Sequence, residues 1–160
     1  MGNTKSVAII TGASQGIGRA TAIRLARDFS AIVLVARDKD NLETTAAEVM
    51  SLGAEASASA LDLRQPQSAK SIIEGTLERF GRIDALLNIA GAVPQIDLFQ
   101  MTDVQWDDGM ALKLNGARSL DHRGLGRFEG LEWIGRVHVR KRRLCPQTRI
   151  CGSHGDQCSH

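Results

Sequence analysis

A glycine-rich segment near the start of the chain constrains the fold more than any other feature. This glycine loop, residues 11–18, reads Thr-Gly-Ala-Ser-Gln-Gly-Ile-Gly and follows an apolar run, residues 6–11, without polar alternation. Such a run is typical of a strand buried on both faces of a parallel sheet. Downstream, one helical face carries the apolar residues Ala22, Leu25, Ala26 and Phe29. The segment therefore predicts a strand, a tight turn and a helix in succession.

The same alternation of strand and helix continues along the chain. Further strands are expected at residues 31–36, 55–62 and 85–88. One helix between them has Asp38 or Asp40 as its N-cap and stops at Gly53, and the next has Pro66 in its first turn and Gly81 at its end. Buried strands joined by such helices form right-handed crossovers. We therefore predict an α/β fold with a doubly wound parallel sheet of the Rossmann type.

Composition narrows the classes of function. With 42% apolar residues among 160, the chain can bury one hydrophobic core. A net charge of +2 is too small to indicate nucleic acid or an anionic membrane as the main partner. No apolar run approaches the length of a membrane span and the N-terminus shows no signal-peptide pattern, so a cytoplasmic location is expected.

The glycine loop lies where backbone N–H groups and the dipole of the following helix attract phosphate. The residues after the second strand, Ala36-Arg37-Asp38, then distinguish between the two nicotinamide cofactors. An acidic residue at this position binds the ribose 2′-OH of NAD, whereas an Arg accommodates the 2′-phosphate of NADP. Arg37 therefore favours NADP(H), with NAD(H) second. In the alternative interpretation Arg37 is a solvated loop residue and Asp38 only caps the next helix.

These motifs resemble the short-chain dehydrogenase/reductase family over roughly the first 119 residues. The loop matches the family pattern Thr-Gly-x-x-x-Gly-Ile-Gly, and residues 88–91, Asn-Ile-Ala-Gly, are similar to its Asn-Asn-Ala-Gly, with Ile89 replacing one Asn. The resemblance implies a contact from Asp62 to the adenine ring and support of a proton-relay water by Asn115. The expected cofactor-binding residues are Gly12, Ser14, Gln15, Gly16, Ile17, Gly18, Arg37, Asp62, Asn88, Ala90 and Gly91.

Three residues that the resemblance singles out also have purely structural interpretations. Asp62 could be a helix cap, Asn88 a turn residue and Asn115 an ordinary amide on a helix surface. The sequence alone leaves both interpretations open for each residue.

The resemblance implies hydride transfer between NADP(H) and a small carbonyl or alcohol substrate, and assembly into dimers or tetramers. In this family a Tyr acts as general acid/base, a Lys lowers its pKa and a Ser orients the substrate. The chain contains no Tyr. We therefore expect an oxidoreductase that is truncated or inactive as given, with a non-catalytic nucleotide-binding module as the alternative.

Residues 120–160 break the pattern, because every Cys and His lies after Leu120 and no hydrophobic period is sustained. We expect a dinucleotide-binding domain, residues 1–119, followed by an irregular basic tail without the next strand of the sheet, which would leave the fourth strand with an open apolar edge.

A frameshift near Ser119 is one explanation of the tail. With one permitted set of codons read one nucleotide later, residues 132–140 become Asn-Gly-Ser-Val-Val-Phe-Met-Ser-Gly, similar to a family strand ending in Ser. Residues 146–153 become Pro-Lys-Pro-Gly-Tyr-Ala-Ala-Val, which resembles the family's Tyr segment. Sequencing of the coding DNA tests this hypothesis.

Two other functions of the tail are disfavoured. The basic residues 140–143 lack interleaved aromatic residues and indicate a solvated run rather than a nucleic-acid patch. The spacing of Cys145, Cys151, Cys158, His154 and His160 is unlike that of zinc knuckles, so no metal is expected.

Overall fold

The computed structural model describes residues 6–91, 96–120, 131–134 and 137–140. Its strands are β1 (Val7–Thr11), β2 (Ala31–Ala36), β3 (Glu55–Ala60), β4 (Ala85–Leu87), β5 (Leu131–Ile134) and β6 (Val137–Arg140). Its α-helices are α1 (Gly16–Leu25), α2 (Lys39–Ser51), α3 (Pro66–Phe80) and α4 (Asp103–Met110). A 3-10 turn, Leu98–Gln100, precedes α4, and a π-helical segment, Ala111–Gly116, continues it.

The strands form one sheet in the order β3-β2-β1-β4-β6-β5. Strands β1 to β4 are parallel, and Ile9 of β1 stands opposite Val33 of β2 on one side and Leu86 of β4 on the other. The chain runs outward from β1 to β3 and then returns to β4 on the other side of β1. This reversal confirms the Rossmann-type sheet, and it opens a crevice beyond the carboxyl ends of the strands.

Helices cover both faces of the parallel strands. Alternate strand residues therefore pack into two separate cores. Val7 and Ile9 of β1 pack with Ile72 and Ile73 of α3. Ala8 and Ile10 point the other way and belong to the core formed with α1 and α2, which includes Ala22, Leu42 and Val49. Burial on both faces explains why these strands lack polar alternation.

The predicted helix ends are confirmed by their capping geometry. Asp38 is the N-cap of α2, and its carboxylate accepts a hydrogen bond from the Asn41 N–H at 3.1 Å. Pro66 occupies the first turn of α3. Gly81 ends that helix in the left-handed conformation with φ of 72°, which a residue with a Cβ rarely adopts.

The structure corrects one expectation about the tail, namely that no strand follows Leu120. Strands β5 and β6 pair in an antiparallel manner, and β6 pairs antiparallel with β4, with Val139 opposite Ala85. The edge of β4 is therefore covered. Val-His-Val-Arg in β6 alternates in the way a short strand does, and only two residues separate β5 from β6 in the sequence, which is a hairpin signal.

Candidate functional site

The carboxyl ends of β1, β2 and β4 surround a cavity of about 330 Å³. This volume is within the range of about 300–1,000 Å³ that is usual for small-molecule sites. The described residues that line it are Gly12, Ser14, Gln15, Gly16, Ile17, Gly18, Val35, Ala36, Arg37, Leu61, Leu63, Ile89, Ala90, Gly91 and Leu112. The cavity thus unites the glycine loop with the ends of β2 and β4.

Two glycines of the loop are required by close backbone contacts. At Gly12, φ is 71° and a Cβ would lie 2.9 Å from the Ala90 Cα atom. A Cβ on Gly18 would overlap the Gly12 carbonyl group. Any larger residue at either position would push the loop away from its neighbours, so these glycines hold the start of α1 against the end of β4.

The N-terminus of α1 is open for an anion. Its N-cap, Gln15, makes no side-chain capping hydrogen bond, and the first turn contains no acidic residue. A Cβ on Gly16 would meet no atom within 4 Å, so the space above the loop is free. Unsatisfied N–H groups and the positive end of the helix dipole therefore face the cavity, and this arrangement fits the phosphates of a dinucleotide.

Thr11 joins the two strands that flank the cavity and was missed as a site residue. Its Oγ1 accepts hydrogen bonds from the N–H groups of Ile89 and Ala90, each at 3.0 Å, and donates one to the Leu87 carbonyl at 3.3 Å. The hydroxyl thereby sets the path of residues 89–91 as they leave β4. Sequence reasoning could not identify this contact because it depends on β1 and β4 being neighbours.

Arg37 and Asp38 have different environments at the end of β2. Arg37 lines the cavity, is exposed and forms no ion pair with any residue that the structure describes. Asp38 lies outside the cavity lining and caps α2. The Asn41 N–H and side-chain amide stabilise the charged carboxylate and lower the pKa of Asp38. The cation is thus available to a ligand, while the adjacent anion is occupied by the helix.

Asp62 and Asn88 are near the cavity but are not among the residues that line it. The Asp62 side chain accepts a hydrogen bond from the Arg64 N–H at 3.0 Å, which forms a turn before α3. Its neighbours Leu61 and Leu63 are lining residues. Asn88 is half-buried directly after β4. Their predicted contacts with a cofactor stay predictions.

Asn115 lies on the π-helical segment, and its side chain is exposed rather than part of the cavity lining. Leu112 of the same segment is buried and does line the cavity. The predicted support of a water by Asn115 stays a prediction.

The apolar lining residues Val35, Ala36, Leu61, Leu63, Ile89 and Leu112 were also missed. Val35 and Ala36 lie in β2, Leu61 and Leu63 follow β3, and Ile89 follows β4. Only the position of each strand end relative to the crevice marks them as site residues.

A partly buried ion pair lies at the opposite end of β1 and β4 from the cavity. Asp84, just before β4, accepts hydrogen bonds from the Val7 N–H at 2.9 Å and from Arg82 Nε at 2.8 Å. The hydrogen bond to Asp84 raises the pKa of Arg82. Side-chain hydrogen bonds therefore join β1 to the β4 segment at both ends, through Asp84 before β4 and through Thr11 at the end of β1.

The described part of the chain lacks two features that would indicate other functions. Residues 6–91, 96–120 and the two strands after them contain no cluster of three or more side chains suited to bind a metal ion. No helix in this same part is both long and apolar enough to cross a bilayer. The Cys residues and His154 and His160, together with the basic residues 141–143, lie outside the described residues.

Comparisons with known proteins agree with this geometry. A family model described as short chain dehydrogenase matches residues 6–127. The short-chain reductase protein NovJ of Streptomyces niveus is 37% identical over 112 residues, which are 70% of this chain and 43% of NovJ. The chain thus spans less than half the length of this curated relative.

Two solved structures superpose on the chain. A metagenomic short-chain oxidoreductase in complex with NADP has a TM-score of 0.71 and 33% identity, covering 78% of this chain and 57% of that one. Carveol dehydrogenase from Mycobacterium avium, in complex with NAD, has a TM-score of 0.70 and 26% identity, covering 76% and 48%. The two neighbours therefore differ in their nicotinamide cofactor.

Proposed function

Because the chain belongs to the short chain dehydrogenase family, we propose that its cavity binds a nicotinamide dinucleotide and prefers NADP(H) to NAD(H). The single observation that carries this proposal is the joint presence of an uncapped α1 N-terminus and an unpaired Arg37 in one cavity. Neither group has a partner among the described side chains, and both attract phosphate.

The residues of the cavity fit the parts of such a cofactor. The glycine loop binds the pyrophosphate through backbone N–H groups. Arg37 binds the 2′-phosphate with its guanidinium group, in the position where an acidic residue would select NAD(H). Asp62 contacts the adenine ring, and Asn88, Ala90 and Gly91 contact the other end of the molecule.

The proposal also covers the reaction that the bound cofactor would serve. When bound, NADP(H) supplies a hydride that passes between its nicotinamide ring and a small carbonyl or alcohol. The chain holds the cofactor, but it contains no Tyr to donate or accept the accompanying proton. We expect these 160 residues to bind the cofactor without measurable turnover. The predictions of a cytoplasmic location and of homo-oligomers accompany this proposal.

A non-catalytic nucleotide-binding module is the second candidate, and the absence of Tyr from the sequence favours it. The two candidates share the cofactor site and differ in whether the chain can reduce a carbonyl. Binding and turnover are therefore measured separately on the natural chain, and binding without carbonyl reduction favours the module.

The test is a fluorescence titration with NADPH and with NADH, followed by an assay of NADPH oxidation with simple aldehydes and ketones. We expect saturable binding of NADPH, weaker binding of NADH and no oxidation. Arg37→Ala is expected to weaken NADPH binding roughly tenfold or more, since a charge-assisted phosphate contact contributes about 1.5–3 kcal/mol. The affinity for NADH should change little.

Arg27→Ala is the matched control, because Arg27 is exposed beyond the end of α1 and does not line the cavity. It removes the same charge and should leave both affinities unchanged. Equal loss of NADPH and NADH binding in Arg37→Ala would contradict the assignment of the 2′-phosphate. Oxidation of NADPH by the natural chain would contradict the expected lack of turnover.

A further inference from the structure

Lys113, a lysine next to the cavity, has no role in the function proposed so far. Lys113 belongs to the π-helical segment after α4 and lies against Gly91, a lining residue. We propose that Lys113 binds the nicotinamide riboside half of the dinucleotide by donating hydrogen bonds to its oxygen atoms. This inference rests on the proposed function and adds a contact that the sequence motifs did not indicate.

The first support is the position of the side chain. An atom at the Cβ position of Gly91 would lie 3.6 Å from both the Cδ and the Nζ atom of Lys113. The aliphatic stem of Lys113 therefore runs along the Gly91 backbone, with its ammonium group beside the same residue. These separations are ordinary van der Waals distances, so the lysine packs directly on residue 91.

The second support is the register of the helix. Leu112 lines the cavity and Gly116 is buried, so the segment turns this side toward the parallel sheet. A Cβ on Gly116 would lie 3.1 Å from the Leu63 carbonyl oxygen, which shows how closely the segment approaches a lining residue. Residue 113 is consequently held at the edge of the cavity, where its side chain is exposed to solvent, as is that of Asn115.

The third support is the distribution of charge. No described residue that lines the cavity is acidic. Within residues 6–91 and 96–120, no carboxylate forms an ion pair with Lys113. The nearby Asp108 of α4 pairs instead with Arg64, in the loop before α3, at 3.9 Å. The ammonium group is therefore free to serve a ligand.

The spacing of the strands indicates which part of the ligand this is. Arg37 follows β2 and Gly91 follows β4, and β1 lies between these strands. Two strand spacings separate the two positions by roughly 10 Å. A dinucleotide with its 2′-phosphate at Arg37 and its pyrophosphate at the glycine loop directs its nicotinamide riboside toward Gly91 and Lys113. Ribose hydroxyls and the carboxamide oxygen are acceptors for a lysine.

The test compares two ligands by isothermal titration calorimetry on the full chain: NADPH and adenosine 2′,5′-bisphosphate, which lacks the nicotinamide riboside and the phosphate that joins it to the rest of NADPH. Lys113→Ala is expected to weaken NADPH binding roughly tenfold, as for the loss of a hydrogen bond from a charged donor. The affinity for the bisphosphate should change less than about twofold. Arg37→Ala should weaken both ligands.

Three further variants separate the charge of Lys113 from its packing and from general electrostatics. Lys113→Met keeps the stem over Gly91 and should resemble Lys113→Ala, whereas Lys113→Arg should retain most of the NADPH affinity. Lys70→Ala removes an exposed lysine on α3, paired with Glu74 at 3.9 Å, and should bind both ligands like the natural chain.

Two results would overturn the inference. One is an NADPH affinity of Lys113→Ala within twofold of that of Lys70→Ala, and the other is an equal loss of both ligands in Lys113→Ala. If the natural chain binds the bisphosphate and NADPH, the proposed function stands even when the Lys113 variants contradict this inference. If the natural chain binds neither ligand, the proposed function fails and this inference fails with it.

Discussion

The two sides of the β1–β4 pair are built differently. Toward β2 and β3, each strand is followed by a helix packed on the sheet, and residues such as Leu34 and Leu42 are completely buried. Beyond β4 the sheet continues in antiparallel strands. The helix α4 and its π-helical segment, which follow β4 in the chain, expose large apolar side chains, among them Val104 and Leu114. The first side supplies most of the cavity lining, and the second supplies Leu112, with Lys113 against the lining residue Gly91.

This difference indicates where stability and binding are coupled. On the α1–α2 side, the residues that hold the fold together directly support the glycine loop, so a packing defect should affect both stability and cofactor affinity. On the α4 side, exposed apolar residues contribute little to the described core. Substitutions there should change stability only slightly, unless another molecule covers them.

The largest expected difference in stability is between the alanine variants of two leucines. Leu34 in β2 is fully buried, whereas Leu114 is 53% exposed. Leu34→Ala should lower the free energy of unfolding by about 2–5 kcal/mol, and Leu114→Ala should change it by less than about 0.5 kcal/mol. Urea denaturation followed by circular dichroism measures both. A large loss of unfolding free energy in Leu114→Ala would show that this face is buried by an assembly. That result would contradict the expected difference between the two sides.

The next contrast is between two glycines in helices. Gly18→Ala forces a Cβ into the Gly12 carbonyl and should cost about 1–3 kcal/mol of stability together with NADPH binding. Gly75→Ala in α3 meets no atom within 4 Å and should stabilise the chain by about 0.5–1 kcal/mol. Thermal denaturation and NADPH titration test this pair. A Gly18→Ala variant that binds NADPH normally would exclude the proposed loop geometry.

An effect of similar size on stability is expected at Thr11. Thr11→Val keeps the shape of the side chain but leaves the N–H groups of Ile89 and Ala90 without their acceptor, at a cost of about 1–3 kcal/mol. Thr44→Val on the exposed face of α2 loses only a hydrogen bond to the Asp40 carbonyl and should cost less than about 0.5 kcal/mol. Equal denaturation midpoints for the two variants would contradict the role of Thr11 in joining β1 to β4.

The smallest effect is a pH dependence at Asp38. Hydrogen bonds from Asn41 lower its pKa below the usual 3.8, so its stabilising contribution is present above that pH and is lost as the pH falls through the lowered value. Asp38→Asn keeps a good N-cap without the charge. The melting temperature of the natural chain relative to this variant should therefore decrease between pH 6 and pH 3. A difference that stays constant with pH would show that the charge is irrelevant.

The region from β1 to β4, with α1, α2 and α3, could largely be predicted from sequence because its signals are local. Pro66, Gly81 and Asp38 mark helix ends through their own backbone and capping preferences. The glycine loop indicates both a turn and an anion site within eight consecutive residues. Each of these inferences needs only the neighbours in the chain.

The other contributions required the fold. Thr11 acts on residues 89 and 90, which are far away in sequence, and Lys113 reaches Gly91 only in the register of the π-helical segment. No local pattern in the sequence indicates that register. The β5–β6 hairpin was missed because its strands are short, although the alternation in β6 was visible.

Backbone chemical shifts test the central claim most directly. In a ¹⁵N-labelled sample titrated with NADPH, the amide signals of Gly12, Gly16, Gly18, Arg37 and Gly91 should shift in a saturable manner. The amides of β5, which lies at the far edge of the sheet, should stay unchanged. Saturable shifts confined to residues away from the cavity, or no saturable shifts at all, would contradict the account.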